Sequence, residues 1–220
     1  QPTSGSSEKL KLIPYTKGFI NELDAAIAPW LASMYRQHQG MGQGTHYWSV
    51  SWLPQSQFAD LQGNLNDDSE LLGVVKRVLA AQSQAVPADV ALAASADDAL
   101  FATLCYLVAN KQLRLLSVWS PTFALQLLEA LPIWADDIAE VLFNGDWRGR
   151  RESLARLNAP YAPKRAVELK RILALPRAAL GAELWPDLAL VSAWDTADAA
   201  PWAQQLKECF PQAAFEGKGL

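Results

Sequence analysis

Two short apolar segments constrain the fold more than any other feature of the chain. Residues 114–119, Arg-Leu-Leu-Ser-Val-Trp, and 188–194, Leu-Ala-Leu-Val-Ser-Ala-Trp, lack the polar–apolar alternation of a half-exposed strand. Strands of that kind are covered on both faces, as in parallel sheets whose crossovers are helical. Pro121 follows the first segment and suits the first turn of a helix carrying Phe123, Leu125, Leu127 and Leu128. A helix over about 198–209 follows the second, and then a short strand at 214–216. Strands alternating with helices point to the α/β class, with a mostly parallel sheet flanked by helices.

The other elements follow from periodicity and breakers. Between 15 and about 38, Phe19, Leu23, Ile27, Trp30, Met34 and His38 recur at helical spacing, and Pro29 should kink or break that helix. Gly40, Gly42 and Gly44 mark a flexible loop. Residues 47–53 have strand content, ended by Pro54. Asp68 or Ser69 can cap a helix whose apolar face is Leu71, Leu72, Val75, Val78 and Leu79. Further helices are expected at 97–110, 135–143, 150–157 and 163–175, with Pro87, Pro160, Pro163 and Pro176 as boundaries. The length of 220 residues suits one large domain or two small ones.

Composition excludes several function classes. Half of the 220 residues are hydrophobic and 19 % are charged, which supports a core and argues against disorder. The net charge is -4 and basic residues are scattered, so no nucleic-acid partner is expected. Arg148, Arg150 and Arg151 read as a solvated surface turn. No apolar run approaches the roughly 18 residues of a membrane span, so no membrane partner is expected. Cys105 and Cys209 lie in apolar helical patterns and read as buried free thiols in a reducing, cytoplasmic compartment. His38 and His46 have no cysteine or carboxylate at motif spacing, and no metal-ligand set is expected.

The stretch that carries chemistry is the first sixteen residues. Thr3, Ser4, Ser6 and Ser7 supply hydroxyls around Gly5, and Lys9 and Lys11 add positive charge. Backbone N–H groups around a glycine can form a concave nest, so the loop suits a polyphosphate. It lacks the spacing of a Walker A loop. An exposed Ser/Gly terminus is the alternative reading of the same residues.

Thr3-Ser4-Gly5-Ser6-Ser7 with Lys11-Leu12-Ile13-Pro14 resembles the phosphate loop of the auxin-responsive promoter family of acyl acid amido synthetases, within the adenylate-forming enzymes. Three more stretches resemble its bacterial-type members in collinear order: Tyr47-Trp48-Ser49-Val50-Ser51, Ser117-Val118-Trp119-Ser120-Pro121-Thr122-Phe123, and Leu184-Trp185-Pro186-Asp187-Leu188 running to Trp194. The closing Phe210-Pro211 through Gly217-Lys218-Gly219-Leu220 resembles the run-in to a later nucleotide motif.

The resemblance implies the central part of the larger N-terminal domain of a ligase. It implies ATP and Mg²⁺ as cofactors, and a carboxylic acid and an amino acid as substrates joined through an acyl-adenylate. It places Thr3, Ser4, Gly5, Ser6, Ser7 and Lys11 on the nucleotide phosphates, and Trp119, Ser120, Thr122 and Phe123 near the acyl pocket. It assigns no catalytic residue. The family's C-terminal domain would lie beyond Leu220, so these residues alone are expected to be inactive. Two positions depart from the pattern, with Glu8 and Ala197 standing where the family usually carries glycine. A carboxylate beside polyphosphate is repulsive unless it points away. Two other readings stay open: a non-catalytic remnant or binding module of the same fold, and an acyl-CoA ligase-like adenylating enzyme.

Overall fold

A computed structural model of the chain describes residues 2–3, 11–12, 17–49, 52 and 83–218. Two strands of two residues, β1 (Pro2–Thr3) and β2 (Lys11–Leu12), pair antiparallel. Helix α1 (Lys17–Gln37) leads into the main sheet. The sheet contains β3 (Thr45–Trp48), β4 (Leu113–Ser117), β5 (Leu190–Ala193) and β6 (Ala214–Gly217), all parallel and in that spatial order. The α/β class and the parallel sheet read from the sequence are those of the structure.

Sequential strand order with right-handed crossovers stacks the connecting helices on one face. These helices are α2 (Ala96–Ala109), α3 (Pro121–Ile133), α4 (Ala135–Asn144), α5 (Pro163–Leu173), α6 (Arg177–Leu184) and α7 (Ala200–Cys209). Tyr47, Leu116, Val191 and Ala193 face them in the main core, with Leu104, Leu131, Leu142, Leu169, Leu184 and Leu206. The other face needs its own cover, and α1 provides it. Met34 and Met41 pack on Leu115 and Leu190, with Trp30, Leu31 and Trp48 at the margin.

Helix α2 is apolar nearly all round and sits inside the helical layer, with Phe101, Leu104, Cys105, Leu107 and Val108 buried. Burial pushes the Cys105 thiol far above its ordinary pKa, which leaves it a packing residue. Cys209 is only partly buried, and the two cysteines form no disulfide.

Both ends of α2 are held by side chains. At its start the Ser95 hydroxyl accepts from Asp98 N at 3.1 Å. Burial raises the Asp98 pKa, but hydrogen bonds from Ser153, Ser95 and Arg150 outweigh it and leave the carboxyl below its usual value. Arg150 also pairs with Asp97 at 2.9 Å and lies 4.4 Å from the centroid of the Phe101 ring. At the other end, the last carbonyls of a helix have no partner within it. Trp185 Nε1 donates to Leu107 O at 2.9 Å, and Arg165 Nε to Val108 O at 2.9 Å. Arg165 Nη2 also donates to Leu184 O at 2.9 Å, so one buried guanidinium closes α2 and α6 together.

Several expectations are corrected. Residues 150–157 form no α-helix; a short 3-10 turn, Arg148–Arg150, is followed by hydrogen-bonded turns. Trp147 Nε1 must reach Leu157 O, 2.7 Å away, while Arg150 and Ser153 reach Asp98, and a straight helix cannot do both. Arg150 is therefore tied down, whereas Arg151 stays on the surface. The helix expected to run to 175 ends at Leu173, and α6 was not anticipated. Pro29 neither breaks α1 nor ends it; Pro29 and Ala25 are exposed, so the carbonyl left unpaired faces water. Gly40 and Gly42 lie in a 3-10 turn, Gln39–Gln43. The strand expected at 47–53 is β3, shifted towards the N-terminus. The helix expected around Leu71–Leu79 lies outside the described residues.

Arg165→Ala is expected to lower unfolding stability by about 3 kcal/mol, because it strands buried carbonyls on two helices. Arg151→Ala should cost much less, since that side chain is 71 % exposed and its ion pair is screened by solvent. Chemical denaturation of the two variants checks this, and equal losses would contradict it.

Candidate functional site

The strands of the main sheet all run towards one edge, where open α/β sheets gather ligands. Past the ends of β4, β5 and β6 the ladder continues. Trp194 N donates to Trp119 O at 3.0 Å, and Lys218 N to Ala193 O at 2.9 Å. Trp119, Trp194 and Lys218 each stand two residues beyond a strand residue on the α1 face: Ser117, Ser192 and Glu216. The three meet. The indole centroids of Trp119 and Trp194 are 5.8 Å apart at 59°, and Lys218 Nζ lies 4.4 Å from the Trp119 ring centroid. Trp119 is 42 % and Trp194 38 % exposed, so the pair keeps apolar face for a planar ligand, beside a cation.

A cleft of about 490 Å³ opens at this edge, lined among others by Ser120, Thr122, Trp194, Asp198, Trp202 and Lys218. Ser120 and Thr122 come from the start of α3. Ser120 has extended backbone and makes no side-chain cap; its hydroxyl shares a 2.6 Å hydrogen bond with that of Thr122. Both hydroxyls lie at the positive end of a 13-residue helix, a setting that favours an anion. Asp198 and Trp202 come from the turn and helix after β5.

Backbone geometry sets the shape of the cleft. At Gly217 a Cβ would lie 2.2 Å from Asp195 Oδ1, so any side chain there would displace the Asp195 carboxylate. Ala197 has φ +49°, in the left-handed region that glycine favours. Alanine in that region is strained by roughly 1–2 kcal/mol. The position flagged in the sequence as an alanine in place of glycine is thus one whose backbone asks for glycine.

Of the expected acyl-pocket residues, Ser120 and Thr122 line the cleft, and Trp119 stands at its margin through Trp194 and Lys218. Phe123 instead packs, partly buried, against the main core. Of the expected phosphate loop, Thr3 and Lys11 are Cα partners in the β1–β2 pair, which brings the two ends of the loop together. Ser4, Gly5, Ser6, Ser7 and Glu8 lie outside the described residues. Sequence reasoning did not single out Trp194, Asp198, Trp202 or Lys218 as site residues. Position relative to the strand ends was the available signal for Trp194 and Lys218.

The histidines have structural partners. His46 Nε2 donates to Met41 O at 2.9 Å, and its Nδ1 faces the Tyr35 hydroxyl at 3.3 Å. Burial lowers its pKa against the opposing effect of the Met41 carbonyl, which keeps the ring neutral. His38 Nε2 lies 3.4 Å from Glu216 Oε2. Among the described residues, no three His, Cys, Asp or Glu side chains are grouped to hold a metal, and no helix is long and apolar enough to cross a membrane.

Ala197→Gly is expected to leave stability unchanged or raise it by up to about 1 kcal/mol, as relief of strain offsets the added freedom of the unfolded chain. Ala199→Gly, at φ -81°, should instead lower it by about 0.5–1 kcal/mol. Thermal or chemical unfolding of both variants checks the difference in sign; equal losses would remove the strain.

The family model for the GH3 family N-terminal domain matches residues 1–215. Among solved structures, the chain is similar to one described as AtGH3.15 acyl acid amido synthetase in complex with 2,4-DB, at 16 % identity and TM-score 0.70. The match covers 98 % of this chain and 39 % of that one. It is also similar to a GH3.15 acyl acid amido synthetase, at 14 % identity and TM-score 0.68, covering 96 % of this chain and 38 % of that one. At such identities these likenesses speak to the fold. No curated protein matches the chain in sequence. The chain spans about two fifths of the length of these solved structures, and it belongs to the GH3 family, within its N-terminal domain.

Proposed function

We propose that these residues form the nucleotide- and acyl-binding part of an ATP-dependent acyl acid amido synthetase. In this reading a carboxylate oxygen attacks the α-phosphorus of ATP, the bond to pyrophosphate breaks, and an acyl-adenylate forms. An amino acid amine then attacks the acyl carbon, loses a proton, and displaces AMP. The observation that carries the reading is the cleft at the strand ends, where an exposed tryptophan pair, Lys218 and two hydroxyls at a helix start converge. Family membership and the solved relatives described as acyl acid amido synthetases support it.

Each group has a task consistent with that chemistry. The indoles of Trp119 and Trp194 offer a stacking surface to a planar acyl group or base. The Ser120 and Thr122 hydroxyls, at the positive end of α3, suit an anionic oxygen of the adenylate. Lys218 supplies a positive charge beside it, of the kind that stabilises developing oxyanions. The loop between β1 and β2, with Ser4, Gly5, Ser6, Ser7 and Lys11, is proposed to cradle the pyrophosphate end of ATP. Mg²⁺ keeps much of its water and rides on substrate phosphates. Asp198 is the carboxylate that the cleft would offer to such an ion.

The test is carboxylic-acid-dependent exchange of labelled pyrophosphate into ATP by the full-length protein. Exchange that requires an acid is expected, with Lys218→Ala and Lys11→Ala each lowering it roughly tenfold to hundredfold, as for the loss of a charge-assisted hydrogen bond. Residues 1–220 produced alone are expected to bind an acyl-adenylate analogue without turning ATP over. Failure of every acid to promote exchange in the full-length protein, with the analogue still bound, would favour a binding module of the same fold.

A further inference from the structure

The outer face of the helical layer carries large apolar side chains between two rows of charge. Helices α4 and α5 run antiparallel. Ala162 N, at the start of α5, donates to Leu142 O, near the end of α4, at 2.8 Å, and Lys170 Nζ lies 3.5 Å from Asp136 Oδ1 at their other ends. Their inner sides are core, with Ile138, Ala139, Val141 and Leu142 on α4 and Ala166, Leu169 and Ile172 on α5. On the outer side of α4, Asp136, Glu140 and Phe143 are exposed at spacings of four and three, which makes one stripe. On the outer side of α5 the stripe is Lys164, Val167 and Arg171, with Lys170 beside it. Phe143 is 57 %, Val167 68 % and Tyr161 72 % exposed. Tyr161 stands at the same end as Phe143, because its ring packs against Gly145, the residue that ends α4.

Three such side chains on one two-helix face mark a contact surface. The charges around them say what fits it. The α4 row is acidic, with Asp136 and Glu140, and the α5 row is basic, with Lys164, Lys170 and Arg171. A partner of one charge sign, such as nucleic acid or an anionic membrane, would be repelled by one row or the other. A surface whose halves carry opposite charge is complementary to itself. A two-fold axis parallel to the helices lays α4 of each copy over α5 of the other, so that acid meets base in both halves. Asp136 and Lys170 stand at one level, so Asp136 of one copy then faces Lys170 of the other. Glu140, one turn along, comes level with Lys164 and Val167, and Phe143 with Tyr161. A two-fold axis across the helices would set acid on acid instead. Within one copy Glu140 pairs with Arg148 at 3.5 Å and Arg171 with Glu183 at 3.3 Å, and exposed pairs of this kind exchange at little cost.

We propose that the α4–α5 face joins two copies of this protein, the acidic row of each on the basic row of the other, with Phe143, Tyr161 and Val167 between them. Helices of 10 and 11 residues, side by side, offer a face of roughly 16 by 20 Å. The contact therefore belongs to the small, reversible class. The inference stands apart from the chemistry proposed at the strand-end cleft and does not depend on it.

The experiment is sedimentation equilibrium of the full-length protein across the micromolar range, at low and at high salt, with melting temperatures taken in parallel. The wild type should show a monomer–dimer equilibrium that weakens as salt rises. Phe143→Gln should weaken dimerisation roughly tenfold or more. Glu140→Lys and Lys164→Glu should each weaken it roughly tenfold, because like charges then face each other across the axis. The two changes together should restore it, because acid again meets base. All of these positions are exposed, so the variants should melt with the wild type. A protein that stays monomeric throughout would overturn the inference. So would a dimer that Phe143→Gln leaves unchanged, or one that the double charge swap fails to restore. A Phe143→Gln variant that melts well below the wild type would mean that the rest of the full-length chain covers this face, and would overturn it too.

Discussion

A parallel sheet must be covered on both faces and must end all its strands at the same edge. Those two demands organise this molecule. Four strands in sequential order place the connecting helices on one face, and α1 closes the other with Met34 against Leu115 and Leu190. What the two layers leave open is the edge. There the last inward residues of β4 and β5 and the groups that follow them meet, and every candidate site residue described on the main sheet belongs to that meeting.

The helical layer fixes where β5 can lie. Helix α2 is buried along its length, so its last carbonyls must be satisfied by protein rather than water. Arg165 and Trp185 satisfy them, and each anchors a different part of the chain to the same helix end. Trp185 stands just before β5. The bond from its indole to Leu107 sets the entry of the strand, and hence the positions of Ser192 and Trp194 beside Ser117 and Trp119. Residues remote from the cleft thus hold its walls in place, and positional precision at the edge depends on hydrogen bonds in the interior.

Much of the fold was legible because the elements satisfy local rules. The apolar runs around Leu115 and Val191 read as covered strands, and Pro121 suited the first turn of a helix. The reading failed where tertiary contacts overrode local pattern. Residues 150–157 were expected to form a helix, but Arg150 and Ser153 are drawn to Asp98 at the start of α2, and the chain turns instead. Helix α6 was missed because Pro176 read as an end, when it also caps a new beginning. In the cleft, Ser120 and Thr122 were visible through a motif. Lys218 and Trp194 were not singled out, because their closeness to Trp119 arises from register across three strands. Ser117 and Ser192 look unremarkable in sequence; what sets them apart is burial without a hydrogen-bond partner among the described residues.

In the proposed function an acyl-adenylate occupies the edge above β4, β5 and β6. A crystal structure of the full-length protein with a non-hydrolysable acyl sulfamoyl adenosine measures this most directly. The ligand is expected against Trp119 and Trp194, with its sulfamoyl group near Ser120, Thr122 and Lys218. Ligand bound elsewhere, with the two indoles and Lys218 left as they are without it, would rule out an acyl-adenylate site at this edge.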